Sequence, residues 1–498
     1  MTRPRLIVTG ASGFVGRHLL DALRDRYEIF ALARRSYPSG ALAMPASVRW
    51  FQVDIGDREA LGEVFEEIRR AGSADVLIHL AGHYDFTGER HEEYRRTNVD
   101  GMRNVLDATK RIGVRDFVFA SSVAACQFPR AGEFLSELSR PDGPTPYAES
   151  KRAGEEMLPE YRGSFRTWIV RFGALFSDWC EYEPLFRFLE TWLARPPRSR
   201  VLAGRGMSAV PYLHVRDAVA LVLEVLGRLD DLDPDDILLS SPDGATSHLE
   251  LFEAATAAHF GRRTRPILMP RPLCALGLRA GDVARRALGV EYFMRPWMGE
   301  FIDLRLAVDA HRTREKLGWA PRPRLDIVRR MPFLVQNRKA SPAEWQKRNH
   351  AALKGVRRRA NLTISKLLTA RAEELSERLT RYPLEPGRVR YFPTFGTLDS
   401  RQHRAANEIL LAALIDAVRT GEKRLFAAAC RDLASRRRGD GFSLEEIAAV
   451  LDTLSDLCVL TLAGEDSSPD WSLSLYDHIT MTVQFGVDEV HEVFEGAA

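Results

Sequence analysis

Three residues in the first third of the sequence have the chemistry of a proton relay. Tyr147 and Lys151 stand four residues apart, a spacing that places both side chains on one face of a helix. A phenol titrates at about pH 10 in water, and a neighbouring ammonium favours the phenolate, so Tyr147 can act as an acid/base toward an alcohol or carbonyl. The Ser122 hydroxyl can hold the same substrate oxygen. Such a Tyr/Lys pair also occurs by chance in many proteins.

A glycine-rich turn near the N-terminus has the pattern of a dinucleotide-binding loop. The turn follows the first apolar run, Leu6–Thr9, and opens the first amphipathic stretch, 16–26. At such a helix N-terminus, backbone amides can approach a pyrophosphate. The alternative is a turn whose glycines only permit tight packing. The residues predicted to contact the cofactor here are Gly10, Ser12, Gly13, Phe14, Val15 and Gly16.

Residues at the ends of later apolar runs suit the rest of a dinucleotide. The Asp54 carboxylate, next to Ile55, can accept a hydrogen bond from an adenine amino group; the alternative is a cap for the helix that follows. The small residues of Leu80-Ala81-Gly82 would let the strand end pass close to the ribose and phosphates, although close helix packing would select them equally. Lys151 can also bind the nicotinamide ribose.

Two arginines mark the end of the second apolar run. NAD-preferring Rossmann proteins place an acid there for the ribose hydroxyls, whereas this sequence has Arg34 and Arg35. Two guanidinium groups suit a 2′-phosphate through bidentate pairing, and the alternative is a solvated basic loop. The prediction is a preference for NADP(H), with NAD as the alternative cofactor.

The elements that must position these residues alternate in type. Short apolar runs rich in β-branched residues are separated by amphipathic stretches such as 16–26, 59–71 and 102–112, which is typical of βα units around a doubly wound parallel sheet. The runs are Leu6–Thr9, Ile29–Ala33, Val48–Val53, Val76–Leu80, Phe117–Ser121 and Ile169–Phe172. The predicted fold class is α/β.

In this order the motifs resemble the NAD(P)-dependent epimerase/dehydratase family, the extended short-chain dehydrogenases/reductases. The likeness covers about residues 4–335 and implies a Rossmann core (4–172) with a smaller substrate lobe (mostly 173–335). The matching segments are Thr9–Gly16, Asp54, His79–Ala81, Thr97–Gly101, Ser121–Ser122, Pro146–Lys151, Arg171–Gly173, Tyr212–Ala218 and Thr313–Trp319.

The resemblance implies roles for individual residues. Ser122, Tyr147 and Lys151 become the catalytic set, and Asn98 joins the residues around the cofactor. The predicted cofactor site also includes Ile55, Gly82, Ser121, Tyr147, Lys151 and Phe172. No metal site is expected.

Departures from the family pattern bear on the reaction. Members acting on nucleotide sugars often have Val-Tyr-Gly shortly after the catalytic hydroxyl residue, where this sequence has Ala125-Cys126-Gln127. Sugar dehydratases have Asp-Glu directly after it, where Val123-Ala124 stand here, and this weakens a dehydratase interpretation. The segment 82–103 is more similar to the reductase and hydroxysteroid-dehydrogenase branches.

The substrate lobe is rich in large apolar side chains, which favour a hydrophobic ligand. Core packing explains the same residues equally well. They are Phe176, Trp179, Leu185, Phe186, Phe188, Leu189, Trp192, Phe293 and Trp297.

Composition bounds the remaining choices. A chain of 498 residues exceeds one ordinary core, so two or more domains are expected. A net charge of +3 gives no general reason to expect a nucleic acid partner. The five cysteines form no Cys-x-x-Cys pair, which favours a reducing, cytoplasmic setting, and no apolar run is long enough for a membrane span.

A change of pattern near residue 340 predicts a boundary between an enzyme domain (1–340) and a mostly helical domain of unknown role (341–498). Apolar residues recur at helical spacing over 353–379 and 401–419, and Ser443 with Glu446 has the spacing of a capping box. The arginine runs 357–359 and 436–438 suit phosphates, but solvated helix faces explain them better. The extension could associate with itself or with another protein.

The leading interpretation is an enzyme that transfers a hydride between NADP(H) and a carbonyl or secondary alcohol of a small molecule, with Tyr147 as acid/base. One alternative is an epimerase that oxidises its (nucleotide-)sugar transiently and regenerates its cofactor. The other is a non-catalytic regulator that responds to the dinucleotide. The intact set of Ser122, Tyr147 and Lys151 argues against the regulator, because a sensor needs no proton relay.

Overall fold

The computed structural model describes residues 3–37, 44–194, 198–288, 293–353, 360–465 and 469–495. The chain divides into two compact units, the first made of Met1–Ala33 and Tyr37–Arg357 and the second of Arg34–Ser36 and Arg358–Ala498. The division at Arg357 lies beyond the predicted boundary near 340. Trp345 belongs to a core of the first unit.

One fully parallel seven-stranded sheet, in the order β11-β6-β5-β4-β1-β2-β3, organises the first unit, as the predicted fold class requires. The predicted runs correspond to β1–β6; the short β11 was not predicted. Among the described residues the strands are β1 (Arg5–Thr9), β2 (Glu28–Ala33), β3 (Val48–Gln52), β4 (Val76–His79), β5 (Asp116–Ser122), β6 (Arg166–Phe172), β7 (Ala174–Phe176), β8 (Val201–Ala203), β9 (Ala209–Val210), β10 (Tyr212–His214), β11 (Ile237–Ser240), β12 (Thr246–Ser247) and β13 (Ile267–Met269).

The helices of the first unit begin and end at residues with clear local reasons. The Asp57 side chain caps α2 by accepting from Ala60 N at 3.1 Å, so this role falls to Asp57 and not to Asp54. Thr145 caps α4, whose first residue is Pro146. The helices are α1 (Phe14–Leu23), α2 (Arg58–Arg70), α3 (Gly101–Ile112), α4 (Pro146–Met157), α5 (Glu183–Trp192), α6 (Val215–Gly227), α7 (His248–Phe260), α8 (Arg271–Leu288), α9 (His311–Leu317), α10 (Ile327–Ala340) and α11 (Pro342–Leu353).

Both faces of the sheet are buried, which explains why its strands are continuous apolar runs. One face packs with α1 and α6, and the other packs with α2 and α3. The strand order reverses between β1 and β4, so a crevice opens at their carboxyl ends. The predicted site residues lie on or after the ends of these strands and their neighbours.

A separate apolar core holds the substrate lobe together. It combines α5, α7, α10 and α11. Most of the large side chains that favoured a hydrophobic ligand are part of this core: Phe176, Leu185, Phe186, Leu189 and Trp192 are all at most 3% exposed. For these five residues the packing alternative describes the structure, whereas Phe293 and Trp297 lie elsewhere.

The second unit is helical, as predicted, and has its own apolar core. The segment 353–379, where apolar residues recur at helical spacing, includes two described helices that meet at Arg371, and the arginine run 357–359 lies outside the described residues. Ser443 and Glu446 form the predicted capping box. The described helices are α12 (Ala360–Ala370), α13 (Ala372–Arg381), α14 (Ser400–Thr420), α15 (Lys423–Gly439), α16 (Leu444–Leu462), α17 (Pro469–Leu475) and α18 (Met481–Glu495).

Two kinds of feature are absent from the part of the chain that the structure describes. None of its helices combines the length and the apolar character needed to cross a membrane. Within the same residues no group of three or more His, Cys, Asp and Glu side chains is placed to hold a metal ion.

Candidate active site

The glycine-rich turn packs directly against the end of β4. Gly10 has a φ of +71°, and a Cβ there would lie 2.7 Å from the backbone N of Ala81. A Cβ on Gly16 would collide with the carbonyl oxygen of Gly10. The two glycines therefore let three backbone segments approach more closely than side chains would permit.

The N-terminus of α1 offers unshielded backbone donors. Gly13 is its N-cap and supplies no side-chain cap, and the first turn contains no acidic residue. Ser12, Phe14 and Val15 are half-buried around this end. Free amides together with the positive end of the helix dipole favour an anion, so the turn fits a dinucleotide pyrophosphate.

The end of β4 brings the turn together with Lys151. Thr9 Oγ1 accepts from Ala81 N at 3.2 Å and lies 2.8 Å from His79 Nδ1. A Cβ on Gly82 would lie 3.5 Å from Lys151 Nζ, in ordinary contact. Leu80 and Ala81 are half-buried at this strand end, and their contact with a ribose stays a prediction.

Asn98 clamps the loop after β4 to α4. It lies on a π-helix, Tyr94–Asp100, and is buried. Its Nδ2 donates to the His83 carbonyl and to Ser150 Oγ, both at 2.9 Å, while its Oδ1 accepts from His83 N at 2.6 Å. Every polar atom of the side chain has a protein partner, so Asn98 fixes the loop that borders the site.

Tyr147 and Lys151 lie on α4, and the structure brings Ser122, at the end of β5, next to Tyr147. Tyr147 and Ser122 share a side-chain hydrogen bond, which lowers the pKa of the phenol, but burial is the larger effect and raises that pKa to about 12. Lys151 Nζ lies 5.9 Å from the Tyr147 ring centre and donates to the Ala120 carbonyl at 2.8 Å. Burial lowers the pKa of Lys151 to about 8, against the opposing charge of Glu155.

These pKa directions differ from the expected activation of the phenol. The expectation was that the ammonium would favour the phenolate, whereas the largest effect on the phenol is burial, which raises its pKa. At neutral pH the Tyr147 hydroxyl is therefore protonated and poised as a donor. The ammonium of Lys151 is the group whose charge changes near neutrality.

A buried ion pair between Arg171 and Glu155 contacts Ser121, the neighbour of Ser122. Arg171 Nη2 and Nε donate to Glu155 at 2.7 and 2.9 Å, and Ser121 Oγ donates to the same carboxylate at 2.6 Å. The hydroxyl proton of Ser121 is therefore engaged by Glu155, and the contact of Ser121 with a cofactor stays a prediction. Phe172, also predicted, is buried, and its carbonyl lies 3.4 Å from Ser122 Oγ.

The predicted adenine-end residues follow β2 and β3. Asp54 Oδ1 accepts from Gly56 N at 2.9 Å and Oδ2 accepts from Arg96 Nη2 at 2.8 Å. Ile55, beside it, is buried. Arg34 and Arg35 follow β2 directly and are half-buried.

An aromatic cluster surrounds Tyr147, and sequence reasoning missed most of it. The Tyr84 ring centre lies 4.5 Å from those of Tyr147 and Phe86, and Tyr84 also shares a hydrogen bond with Tyr182. Phe86 lies 5.7 Å from Tyr182 and 6.1 Å from Phe293. The one local signal was Tyr84-x-Phe86, which begins two residues after Gly82.

Comparison with family models identifies one match. The model for the NAD dependent epimerase/dehydratase family matches residues 6–239. The UDP-glucose 4-epimerase of Azospirillum brasilense is 29% identical over 351 residues, which cover 66% of this chain and 90% of that relative. The uronate dehydrogenase of Pseudomonas syringae pv. tomato is 30% identical over 206 residues, which cover 39% of this chain and 70% of that relative.

A reductase and a solved structure extend the comparison. The ceramide reductase of Caulobacter vibrioides is 34% identical over 215 residues, or 43% of this chain and 58% of that relative. The crystal structure of UDP-glucose 4-epimerase with UDP-glucose from Thermotoga maritima has a TM-score of 0.52 at 20% identity, covering 68% of this chain and 99% of that chain. At this identity the likeness shows a shared fold.

Proposed function

Because the chain belongs to the NAD-dependent epimerase/dehydratase family, we propose that it is an oxidoreductase that transfers a hydride between NADP(H) and a carbonyl or secondary alcohol. The observation that carries the proposal is the meeting of Tyr147, Ser122 and Lys151 at the carboxyl edge of the sheet, beside the uncapped N-terminus of α1. The dinucleotide supplies the hydride; the protein supplies binding, orientation and the proton.

The protonated Tyr147 is the proton donor in the reductive direction. Ser122 shares a hydrogen bond with the phenol, so both hydroxyls can hold one carbonyl oxygen and stabilise the charge that develops on it. The Lys151 ammonium, held by the Ala120 carbonyl, stabilises the phenolate left after proton transfer. In the oxidative direction the same phenolate accepts the alcohol proton.

The preference for NADP(H) rests on Arg34 and Arg35. They directly follow β2, at the position where NAD-preferring proteins have an acid. Guanidinium groups pair with a phosphate better than with ribose hydroxyls. The family is NAD-dependent, so NAD is the alternative.

We propose an apolar substrate. Tyr84, Phe86 and Phe293 form a continuous aromatic wall next to Tyr147. The relative named ceramide reductase acts, by its name, on a lipid, and its identity of 34% is consistent with this choice. Ala125-Cys126-Gln127, in place of the nucleotide-sugar pattern, points the same way.

The main alternative within catalysis is a nucleotide-sugar epimerase, which the similarity to the epimerase of Azospirillum brasilense favours. The alternative outside catalysis is a dinucleotide-responsive regulator. A cofactor-consumption assay separates the three. Net loss of NADPH with a ketone indicates the proposed reductase, isomerisation without net loss indicates the epimerase, and binding without either indicates the regulator.

The cysteines support the proposal that the protein works in a reducing setting. All five, Cys126, Cys180, Cys274, Cys430 and Cys458, are free and buried, which suits a reducing compartment such as the cytoplasm. We further propose that the helical unit associates with itself or with another protein. Sedimentation velocity of the full chain and of a chain ending at Arg357 tests the self-association.

A further inference from the structure

Helix α8, in the substrate lobe, exposes apolar side chains on its outward face. Its inner side is buried at Cys274 and Leu278, which are 7% and 6% exposed. On the opposite side Leu273, Leu276 and Val283 are 57%, 66% and 66% exposed, with exposed Ala280 between them. A helix on a protein surface ordinarily turns polar residues outward. The exposed apolar residues on the outer face of α8 are therefore typical of a binding surface.

The strand that leads into α8 extends the same surface. Ile267 and Leu268 on β13 are 54% and 48% exposed. The Cys274 thiol lies 3.3 Å from the Met269 carbonyl, which holds the start of α8 against β13. The apolar patch therefore comprises Ile267, Leu268, Leu273, Leu276, Ala280 and Val283, drawn from two adjacent elements.

The sequence segment that carries this patch is rich in arginines and nearly lacks acidic residues. Between Gly261 and Val283 the sequence has five arginines and one acid, and that acid, Asp282, is buried. All five arginines are exposed, and among the described residues none is paired with a carboxylate. The whole chain has nearly equal numbers of basic and acidic residues, 71 and 68, so this density is local.

We propose that the patch is a docking surface for an anionic lipid bilayer, with α8 lying along the interface. Apolar side chains enter the acyl boundary while the surrounding guanidinium groups pair with lipid phosphates, the arrangement of interfacial amphipathic helices. A protein partner or a second copy would bury the same apolar area, but a local excess of exposed arginines without a carboxylate partner favours a surface dense in phosphates. The lipid headgroup supplies that charge over the whole patch.

The position of α8 connects the proposed docking surface with the aromatic wall near Tyr147. Leu278 on its inner side faces Gly299, and Arg271 Nη2 donates to the Glu300 carbonyl at 3.1 Å, so α8 packs on the 3-10 helix Pro296–Phe301. Within that helix, Trp297 Nε1 donates to the Thr87 carbonyl at 3.0 Å, one residue from Phe86 of the aromatic wall. Docking would place the aromatic wall next to the bilayer. This use rests on the apolar substrate proposed above, whereas the docking does not.

The test is flotation of the full chain with vesicles rich in phosphatidylglycerol and with vesicles of phosphatidylcholine alone. The parent should float with the anionic vesicles and dissociate as salt rises. Leu276→Asp with Val283→Asp should weaken vesicle affinity by roughly tenfold or more. Arg262→Ser with Arg265→Ser, which lie outside the helix, should reduce binding to anionic vesicles only. Leu138→Asp, at a position 80% exposed elsewhere in the same unit, is the matched control and should bind as the parent does.

Dinucleotide binding, measured by fluorescence, should be unchanged in all three variants, which shows that they fold. Absence of flotation by the parent would overturn the proposal, and so would flotation that the α8 and arginine pairs leave intact. If the parent does not bind vesicles but forms a dimer, and the α8 double substitution dissociates that dimer, the patch would be assigned to a second copy instead. None of these results depends on turnover.

Discussion

At the scale of single residues, burial shifts the pKa values of the two ionisable groups of the site in opposite directions. Burial keeps Tyr147 protonated with a pKa raised to about 12, so the phenol is a donor and not a ready base. Lys151, with a pKa lowered to about 8, is the titrating member of the pair. The pH dependence of the enzyme should therefore report the lysine.

We expect kcat/KM for the dinucleotide to fall as pH rises through about 8, because the free enzyme then loses the Lys151 ammonium. The sign follows from the lowered pKa, since the charge is present below that value and absent above it. Lys151→Arg should move this fall to higher pH, because a guanidinium stays charged. A pH–rate profile with the same inflection in Lys151→Arg would assign the titration to another group.

Cofactor selection is a second residue-scale prediction. Arg34→Asp with Arg35→Asp removes two charge-assisted partners for a 2′-phosphate and introduces acceptors for ribose hydroxyls. The ratio of NADP(H) to NAD(H) affinity should fall by roughly a hundredfold. Fluorescence titration with both cofactors measures it, and Arg24→Asp with Arg26→Asp, two residues of the preceding loop and helix end, is the charge-matched control. An unchanged affinity ratio would show that Arg34 and Arg35 belong to a solvated loop and do not select the cofactor.

At the scale of elements, the glycine-rich turn offers a sharp comparison. Gly10→Ala combines a positive φ with a Cβ 2.7 Å from the Ala81 backbone, whereas Gly113→Ala has the same φ, +72°, with nothing within 4 Å. Gly113→Ala should cost about 1 kcal/mol of unfolding free energy and leave dinucleotide affinity unchanged. Gly10→Ala should cost more and abolish dinucleotide binding. Chemical denaturation and cofactor titration check both, and equal effects of the two variants would contradict the packing argument.

Periodicity and capping motifs in the sequence predicted the elements whose formation depends on neighbouring residues. Six strands of the parallel sheet, the Tyr147–Lys151 face and the Ser443 capping box follow from periodicity and capping. The helix end at Arg371 and the π-helix that holds Asn98 had no such signal. The aromatic cluster could not be predicted, because Tyr84, Tyr182 and Phe293 come from three distant segments that only the tertiary fold brings together.

At the scale of the whole molecule, the first unit should work alone. A chain ending at Arg357 should fold and bind dinucleotide, because its sheet, relay and lobe core lie within the first unit. A chain ending at Ala340 loses α11 and with it Trp345, which is fully buried, and should be less stable by about 3–5 kcal/mol. Thermal unfolding with and without cofactor measures both. Failure of the longer truncated chain to bind dinucleotide would make the helical unit part of the enzyme.

The central claim, net hydride transfer through Tyr147, is tested most directly by NADPH oxidation with a panel of apolar ketones in the parent and in Tyr147→Phe. The substitution removes only the hydroxyl, so the ring contacts with Tyr84 and the dinucleotide affinity should remain. Turnover should fall by roughly a hundredfold or more, the scale of a positioned proton donor. Parent-like turnover in Tyr147→Phe on a ketone that the parent reduces would contradict the account.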